Sequence, residues 1–392
     1  IKFALNNKLT IAEIHMQSNK HLHKISPEKV IRGEKAWEEA KELIPSLCNK
    51  PLLLGRSNCT YEIRKSLSIE LSSMGLNVVH EELNHDCCEI DLQRISSIAK
   101  HSFCDAIVAS GGGKVLDAGK LIANRLNIPC ITVPLSASTC AGWTALANIY
   151  SPKGSFIKDE ILEKCPKLLI FDYSLVREAP KRTLASGIAD ALAKWYEASI
   201  SSGNSNDSLV QQAVQMARVL RDQLLIDSKT ALQDPNSDAW IKVAEGCALT
   251  AGLIGGIGGA TCRTAAAHAV HNGLTQLDFE KKSLHGELVG YGILVQLRIE
   301  ELLSKSQLAL QTKKQLIELL IDLDLPIDIQ SLGLKSYKKE ELEKACIFAC
   351  RRNSEIHNLP FKVNENTLME ALLDANKLDL ISSNRKNLIG KK

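Results

Sequence analysis

Four side chains in the second half of the sequence have the types and spacing of a metal site. Asp190 is a lone carboxylate among small apolar residues. His268 and His271 are three residues apart, which puts them on one helix face, and His285 begins a further apolar run. Imidazole and carboxylate together suit Zn²⁺ or Fe²⁺, and three such ligands leave an open position for a substrate oxygen. The spacing by itself equally allows helix histidines that bond to backbone or water.

A glycine-rich turn in the first half has the composition of a phosphate-binding element. The segment GGGKVLDAGK, residues 111–120, follows an apolar run and opens a helical stretch. Glycines let backbone amides approach a phosphate, and a helix N-terminus adds partial positive charge. The segment lacks the GxxxxGK[ST] and GxGxxG spacings, and a plain turn would use the same glycines.

Strand and helix patterns alternate in the first half, which predicts a parallel sheet with helices on both faces. A hairpin or a strand pair is expected near residues 11–15 and 30–36, then a helix at 34–44 stopped by Pro45, and a second hairpin near Pro152. The remaining strands are predicted at 51–55, 77–80, 105–110, 129–134 and 167–172, with helices at 60–74, 91–101 and 115–126.

After Thr183 the strand pattern largely stops, which predicts an all-α second half. Residues 177–182 form the expected linker, so we predict an α/β domain at 1–178 and a helical metal-binding domain at 179–392. Residues 255–259, GGIGG, indicate close helix packing or a turn, and the basic segment 385–392 is expected to be a disordered tail. Helices are also predicted at 208–225, 239–253, 262–274, 287–303, 313–320, 339–349 and 366–380.

Composition narrows the class of protein. The chain has 392 residues, of which 45% are hydrophobic and 24% charged, and its net charge of +3 is too small to argue for nucleic acid binding. We see no apolar run near the roughly 18 residues of a membrane span and no secretory pattern. The twelve cysteines include no CxxC pair, which favours reduced thiols and a cytoplasmic protein.

Three segments of this sequence resemble the glycerol-dehydrogenase branch of the iron-containing alcohol dehydrogenase superfamily. They are GIADALAKWYEA, AAAHAVHNGLTQL and LHGELVGYGILVQL, and the resemblance runs from about residue 50 to about residue 300. It implies the dehydroquinate synthase-like architecture of that superfamily, a parallel dinucleotide-binding sheet followed by an all-α domain. It also implies that Asp190, His268 and His285 bind a divalent metal, usually zinc, with iron as the alternative. His271 then lies near the site, as a supporting residue or a candidate proton relay.

The same resemblance assigns the cofactor site. The form GGGKxxDxxK is similar to the family's pyrophosphate signature, and residues 134–150 resemble its pattern P-x-x-A-S-T-D-A-x-x-S-A-L-x-x-x-Y, whose small hydroxyl residues suit the nicotinamide side. Twelve residues are thereby implied to bind the dinucleotide: Gly112, Gly113, Lys114, Val115, Leu116, Asp117, Leu135, Ser136, Ser138, Thr144, Leu146 and Tyr150.

Arg56 bears on which nicotinamide cofactor is used. Family members that use NAD tend to carry an acid after the first strand, where it binds the ribose hydroxyls, and this sequence has Arg56 there. A carboxylate would repel a 2′-phosphate, whereas an arginine can pair with it. We therefore favour NADP over NAD; the alternative is a solvated surface arginine.

Cys140 departs from the glycerol dehydrogenase pattern. Those enzymes have an Asp at this position that binds polyol hydroxyls, and a thiol is a weak, normally uncharged hydrogen-bonding group. Trp143 is also bulky where they are small. The variant STCAGWT is similar to the hydroxycarboxylate dehydrogenase branch, and loss of the anionic Asp makes room for a substrate carboxylate. The alternative is that Cys140 is only a small packed residue.

The expected function is hydride transfer between NAD(P)(H) and a small 2-hydroxy acid/2-oxo acid pair by a metal-dependent oxidoreductase, expected to be a homo-oligomer with no membrane partner. Glycerol or another polyol is the alternative substrate. A cyclising lyase of the dehydroquinate synthase type is a second alternative, although the dense Arg and Lys set that its phosphate would need is not evident. A non-catalytic protein of the same fold ranks last, because all the proposed metal ligands are present.

Overall fold

Six parallel strands form the central sheet. The computed structural model describes residues 22–280, 282–334 and 337–378. The sheet order is β1-β8-β5-β4-β2-β3, and every neighbouring pair is parallel. The inner strands are buried throughout, as expected when helices cover both faces of a parallel sheet. The strands are β1 Lys29–Gly33, β2 Pro51–Gly55, β3 Val79–Glu82, β4 Ala106–Gly111, β5 Cys130–Pro134 and β8 Leu168–Asp172.

The strand order reverses between β2 and β4. From β2 the chain passes to β3 on one side, and the next strand, β4, lies on the other side of β2. In open α/β sheets a crevice forms at such a switch point, outside the carboxyl ends of the strands, and ligands bind there. Arg56 follows β2 and Gly112 follows β4, so the fold places the predicted cofactor residues at this crevice.

Short helices and one hairpin complete the sheet region. The hairpin β6 Leu146–Tyr150 and β7 Phe156–Ile161 is antiparallel, which confirms the prediction around Pro152. The predicted helix at 34–44 is a short α-helix that continues as a 3-10 turn, Lys41–Ser46, with Pro45 inside it. The helices are α1 Ala36–Ala40, α2 Tyr61–Ser73, α3 Glu89–His101 and α4 Gly113–Leu126.

The second half is helical, as predicted. The linker is shorter than expected, because Asp172 caps a helix over Tyr173–Arg177 and the next helix begins at Lys181. The change from sheet to helices lies close to the predicted boundary at 178, which stays a prediction. The helices are α5 Tyr173–Arg177, α6 Lys181–Ser202, α7 Ser208–Gln233, α8 Asp238–Glu245, α9 Ala251–Gly258, α10 Ala266–Leu274, α11 His285–Ser304, α12 Gln307–Asp322, α13 Lys339–Ala349 and α14 Glu365–Asp374.

Within the described residues, one continuous helical run is apolar enough to cross a membrane by length and composition. It covers Asp238–Gly258, 21 residues with a mean hydropathy of 1.3, so the expectation of no such run is wrong. The share of this apolar window that is buried inside the protein is 61%, which identifies a core helix. Its glycines pack closely: a Cβ at Gly256 would lie 2.4 Å from the carbonyl oxygen of Ile25, and the run ends at Gly259 with φ +70°.

Two predictions at the chain ends fall outside the described residues. The first strand of the expected early pair, near 11–15, lies there, as does the tail at 385–392. The second strand of that pair is β1, which joins the sheet edge in parallel with β8.

Candidate active site

Three helices bring the predicted metal ligands together: α6 carries Asp190, α10 carries His268 and α11 begins with His285. A Cβ on Gly286 would lie 1.8 Å from the carbonyl oxygen of Ser186, so α6 and α11 touch at the backbone there. His285 begins α11 at this crossing, and Asp190 lies one turn further along α6. The carboxylate Oδ1 of Asp190 is 3.3 Å from Nε2 of His285 and 3.4 Å from Nε2 of His268.

The carboxylate of Asp190 lacks the partner that its burial requires. Asp190 is 3% exposed, and its buried Oδ1 has no hydrogen-bond partner among the described residues. Burial alone would raise the pKa of this carboxyl, but His285, His268 and Lys194 together lower it well below its usual value, so it is ionised. A buried carboxylate oxygen facing two imidazole nitrogens is the donor set of a divalent cation site, so these residues fit the expected metal.

Glu197 orients His268. Its Oε2 is 2.5 Å from Nδ1 of His268, and its Oε1 accepts hydrogen bonds from the backbone N–H groups of Ala265 and His268. A proton on Nδ1 leaves the lone pair of Nε2 free to bind a metal. Burial would lower the pKa of His268, but Glu197 and Asp190 raise it to about 9, so metal binding displaces a proton. We missed Glu197 in the sequence, although its spacing of seven from Asp190 puts both on one helix face.

His271 supports His285 from the side away from Asp190. Its Nε2 is 2.9 Å from Nδ1 of His285, and its Nδ1 is 2.9 Å from Oδ1 of Asn272. An Nδ1–H donated to Asn272 leaves Nε2 to accept from His285, which turns Nε2 of His285 towards Asp190. Burial, then the neighbouring His285 and His268, lower the pKa of His271 well below its usual value, which keeps it neutral. His271 lines neither cavity of the site, which favours the supporting role over a relay.

A cleft of about 840 Å³ lies at the sheet switch point. A Cβ on Gly113 would lie 2.5 Å from Cγ2 of Thr139, so this glycine is required for the close approach of helix and loop. Gly112 precedes the first turn of α4, whose free amides face the cleft end of the sheet. Ten predicted cofactor residues line the cleft: Arg56, Gly112, Gly113, Lys114, Val115, Asp117, Leu135, Ser136, Ser138 and Tyr150.

Three other predicted cofactor residues lie elsewhere. Leu116 is 1% exposed and packs with Ala109 and Ala141, because it is on the sheet-facing side of α4. Thr144 and Leu146 line a second, smaller cavity, and their carbonyl oxygens accept hydrogen bonds from Lys120. Trp143 lines neither cavity, since its ring packs over Gly252 and its Nε1 donates to the carbonyl of Ile25.

Asp86 is the cofactor-cleft residue that sequence reasoning missed. Its carboxylate pairs with Arg56 and Lys114, and Nζ of Lys282 lies 3.7 Å away. Burial would raise the pKa of Asp86, but these three cations outweigh it and lower the pKa to about 2. Arg56, whose side chain is 30% exposed, is therefore held at the wall of the cleft by an ion pair. Asp86 follows β3, the strand next to β2, and this position in the sequence could have indicated that it lies near Arg56.

The smaller cavity, about 270 Å³, contains the metal ligands and Cys140. Asp190, His268 and His285 line it, together with Lys194 and Arg263. Burial raises the pKa of the Cys140 thiol, so this side chain is uncharged. The structure thus places Cys140 beside the metal ligands, where the sequence predicted a substrate contact.

A second group of potential metal ligands lies at the start of α3. It consists of His85, Cys88 and Asp91, but the carboxylate of Asp91 already accepts a hydrogen bond from the backbone N–H of His85 at 2.7 Å. Arg94 lies 3.4 Å from the same carboxylate, and the group lines neither cavity of the site. These contacts of Asp91 hold the first turn of α3 in place and account for the grouping of the three residues.

The fold and the site define a dinucleotide-binding metalloenzyme with an α/β sheet and an all-α half. A family model described as iron-containing alcohol dehydrogenase matches residues 27–173. The chain is 47% identical over 349 residues to an uncharacterized oxidoreductase of Synechocystis sp., covering 89% of this chain and 90% of that protein. It is 33% identical over 291 residues to hydroxycarboxylate dehydrogenase A of Escherichia coli, covering 73% and 78%. The chain belongs to the iron-containing alcohol dehydrogenase family.

A solved structure supports the same assignment. Glycerol dehydrogenase from Schizosaccharomyces pombe has a TM-score of 0.80 and 26% identity, covering 96% of this chain and 94% of that one. The protein is an oxidoreductase of this NAD(P)-dependent, divalent-metal family and acts on CH–OH groups. The predictions of family, fold and enzyme class are confirmed.

Proposed function

We propose that this protein interconverts a small 2-hydroxy acid and its 2-oxo acid with NADP(H). The observation that carries the proposal is the neutral thiol of Cys140 in the cavity that contains the metal ligands. An Asp at this position would repel a substrate carboxylate, whereas a buried thiol does not. The similarity to hydroxycarboxylate dehydrogenase A supports the same substrate class.

Residues of both halves prepare the reaction. Asp190, His268 and His285 would hold Zn²⁺ or Fe²⁺, which supplies a Lewis acid for the substrate oxygen. The glycine turn and the first turn of α4 would bind the pyrophosphate of the dinucleotide. His285 lines both cavities, so the cofactor cleft and the cavity of the metal ligands adjoin at this residue. Glu197 and His271 hold the two imidazoles in the tautomers that metal binding needs.

The preference for NADP depends on Arg56. It follows β2 at the switch point, where an acid would select the ribose hydroxyls of NAD. Asp86 holds the guanidinium in the cleft, and Lys114 and Lys282 leave this corner with net positive charge. Such a corner suits the additional phosphate of NADP.

The proposal includes two further properties, the compartment and the assembly. Buried cysteines such as Cys87, Cys130 and Cys247 are free thiols, as expected of a cytoplasmic protein. Val219 and Ile226 lie two turns apart on α7 and are 67% and 75% exposed, which suits an interface between copies of this chain.

Glycerol or another polyol is the second candidate substrate. The similarity to the glycerol dehydrogenase of Schizosaccharomyces pombe favours it, and the family assignment favours both oxidoreductases over the cyclising lyase. Initial rates with NADPH and NADH against 2-oxobutyrate, 2-oxoglutarate and dihydroxyacetone, and with NADP and NAD against glycerol, decide between them. We expect the highest kcat/KM for NADPH with a 2-oxo acid; glycerol with NAD as the best pair would refute the proposal.

Arg56→Ala tests the cofactor preference. Loss of a charge-assisted contact to the 2′-phosphate should lower kcat/KM for NADPH by about 10- to 100-fold and leave that for NADH within about threefold. Lys65→Ala, on the exposed side of α2, is the control. Equal losses with both cofactors would show that Arg56 does not select the phosphate.

A further inference from the structure

One arginine in the smaller cavity has no opposite charge bound to it. Arg263 lies between α9 and α10 and lines the cavity together with Cys140 and the metal ligands. Its guanidinium forms no hydrogen bond and no ion pair with the described residues; Asp159, the acid that acts on it electrostatically, is at the exposed mouth of the cavity. A largely enclosed charge is costly unless an anion pairs with it, so this arginine has the property of a ligand-binding group.

The local structure is built around this side chain. A Cβ on Gly255 would lie 3.0 Å from Cγ and 3.1 Å from Cδ of Arg263, so the glycine makes room for the arginine stem on α9. The turn at Gly259, with φ +70°, redirects the chain so that residue 263 follows a single 3-10 turn. Nζ of Lys194 is 3.4 Å from the carbonyl oxygen of Arg263 and fixes the backbone.

The position of Arg263 relative to the metal ligands selects the kind of anion. A 2-oxo acid carries its carboxylate on the carbon next to the reacting carbonyl, so its anion must lie close to the metal site. The cavity of about 270 Å³ contains both Arg263 and the three ligands, which restricts it to a small substrate. A guanidinium presents parallel N–H donors that match the two oxygens of a carboxylate.

We infer that Arg263 binds the carboxylate of the substrate and makes the enzyme selective for 2-oxo and 2-hydroxy acids over neutral carbonyls and polyols. This inference rests on the proposed function and adds the residue that recognises the acid. Cys140 removes a repulsive charge from the cavity, and Arg263 supplies the attractive one. The two together convert a polyol pocket into an acid pocket.

The test compares an acid with a neutral substrate of similar size. Arg263→Gln should raise KM for 2-oxobutyrate by about 10- to 100-fold with NADPH saturating, because a charge-assisted pair is lost. KM for hydroxyacetone, which has no carboxylate, should change by less than about threefold. Arg263→Lys keeps the positive charge but lacks the parallel N–H donors of the guanidinium, so it should give an intermediate KM for the acid.

Two further measurements separate a binding role from a structural one. Calorimetric titration of the metal-loaded NADPH complex with oxamate, a non-reacting 2-oxo acid analogue, should show binding to wild type and at least about tenfold weaker binding to Arg263→Gln. Arg351→Gln is the matched control, since its guanidinium stacks on Phe348 at 3.9 Å and lines neither cavity. It should leave oxamate binding unchanged.

The outcomes distinguish this inference from the proposed function. If wild type reduces 2-oxobutyrate and Arg263→Gln leaves its KM unchanged, or weakens both substrates equally, the role of Arg263 is refuted and the proposed function stands. If wild type acts on glycerol and on no 2-oxo acid, the proposed function fails, and this inference with it. If Arg263→Gln loses activity with 2-oxobutyrate but keeps its activity with hydroxyacetone, both the inference and the proposed function are supported.

Discussion

At the residue scale, the protonation of two imidazoles decides whether the metal can bind. His268 must carry its proton on Nδ1, and the carboxylate of Glu197 at 2.5 Å imposes this. His285 must do the same, and here the acceptor is the neutral His271 at 2.9 Å. Because Glu197 is 0% exposed and also accepts two backbone hydrogen bonds, its orientation is fixed before any metal arrives.

Glu197→Gln tests this control of the tautomer. An amide nitrogen next to His268 would donate to Nδ1 and move the ring proton to Nε2, where it blocks the metal. We expect metal affinity to fall by about 10- to 100-fold, measured by competition with a chelator. Glu300→Gln is the control, because the carboxylate of Glu300 contacts Gln296 and no histidine. Unchanged metal affinity in Glu197→Gln would contradict the argument.

The sequence predicts the chemical role of a single residue better than it predicts which other residues contact it. Asp190, His268 and His285 were identified from type and resemblance, and the structure brings their ligand atoms together. Asp86 was missed because it contacts Arg56 across 30 residues of chain, and sequence spacing gives no information on pairs that meet only after the sheet has formed. Leu116 was misplaced for a related reason: membership of a motif does not say which face of a helix is buried.

At the element scale, the position of the metal ligands depends on how closely two helices cross. The backbone of α11 at Gly286 contacts the backbone of α6 at Ser186, and the backbone N–H of Gly286 donates to the hydroxyl of Ser186 at 3.0 Å. Only a residue without a side chain allows this approach. The presence of the helices was predicted from periodicity, although α7 continues to Gln233 and α12 begins at Gln307, beyond the predicted bounds 208–225 and 313–320. This crossing was not predicted, since it depends on one glycine in a long apolar helix.

Gly286→Ala should separate the helices and the ligands. The added Cβ would meet the carbonyl oxygen of Ser186 at 1.8 Å, and we expect about 1–3 kcal/mol of destabilisation with reduced metal content. Gly290→Ala is the matched control one turn along α11, where the added Cβ would meet side-chain methyl groups and no backbone: that of Ala189 at 3.0 Å and one of Leu320 at 3.7 Å. Thermal unfolding and metal analysis of both variants check this. If both variants lose stability and metal content equally, the effect comes from replacing any glycine of α11 and not from the helix crossing.

At the scale of the whole molecule, the sheet half holds the cofactor cleft and the helical half supplies the metal ligands. The two cavities share a wall formed by Asp117, Thr139, Ala141, Asn148 and His285. Of these, only His285 comes from the helical half, and it is one of the three predicted metal ligands. The two-part plan was predictable from the change of strand to helix pattern near residue 180, whereas the shared wall required the folded structure.

This arrangement predicts that metal binding and dinucleotide binding can be lost separately. Asp190→Asn removes a metal ligand and should lower kcat by about 10³-fold or more, since Lewis-acid stabilisation is lost. Its Kd for NADPH, measured by fluorescence titration, should stay within about threefold of wild type, because the phosphate-binding turn is untouched. Gly113→Ala should weaken NADPH binding and leave the metal content unchanged. Its Cβ would meet Thr139 at 2.5 Å, so we expect NADPH binding to weaken by about tenfold. Loss of NADPH binding in Asp190→Asn would show that the cleft requires the metal to form.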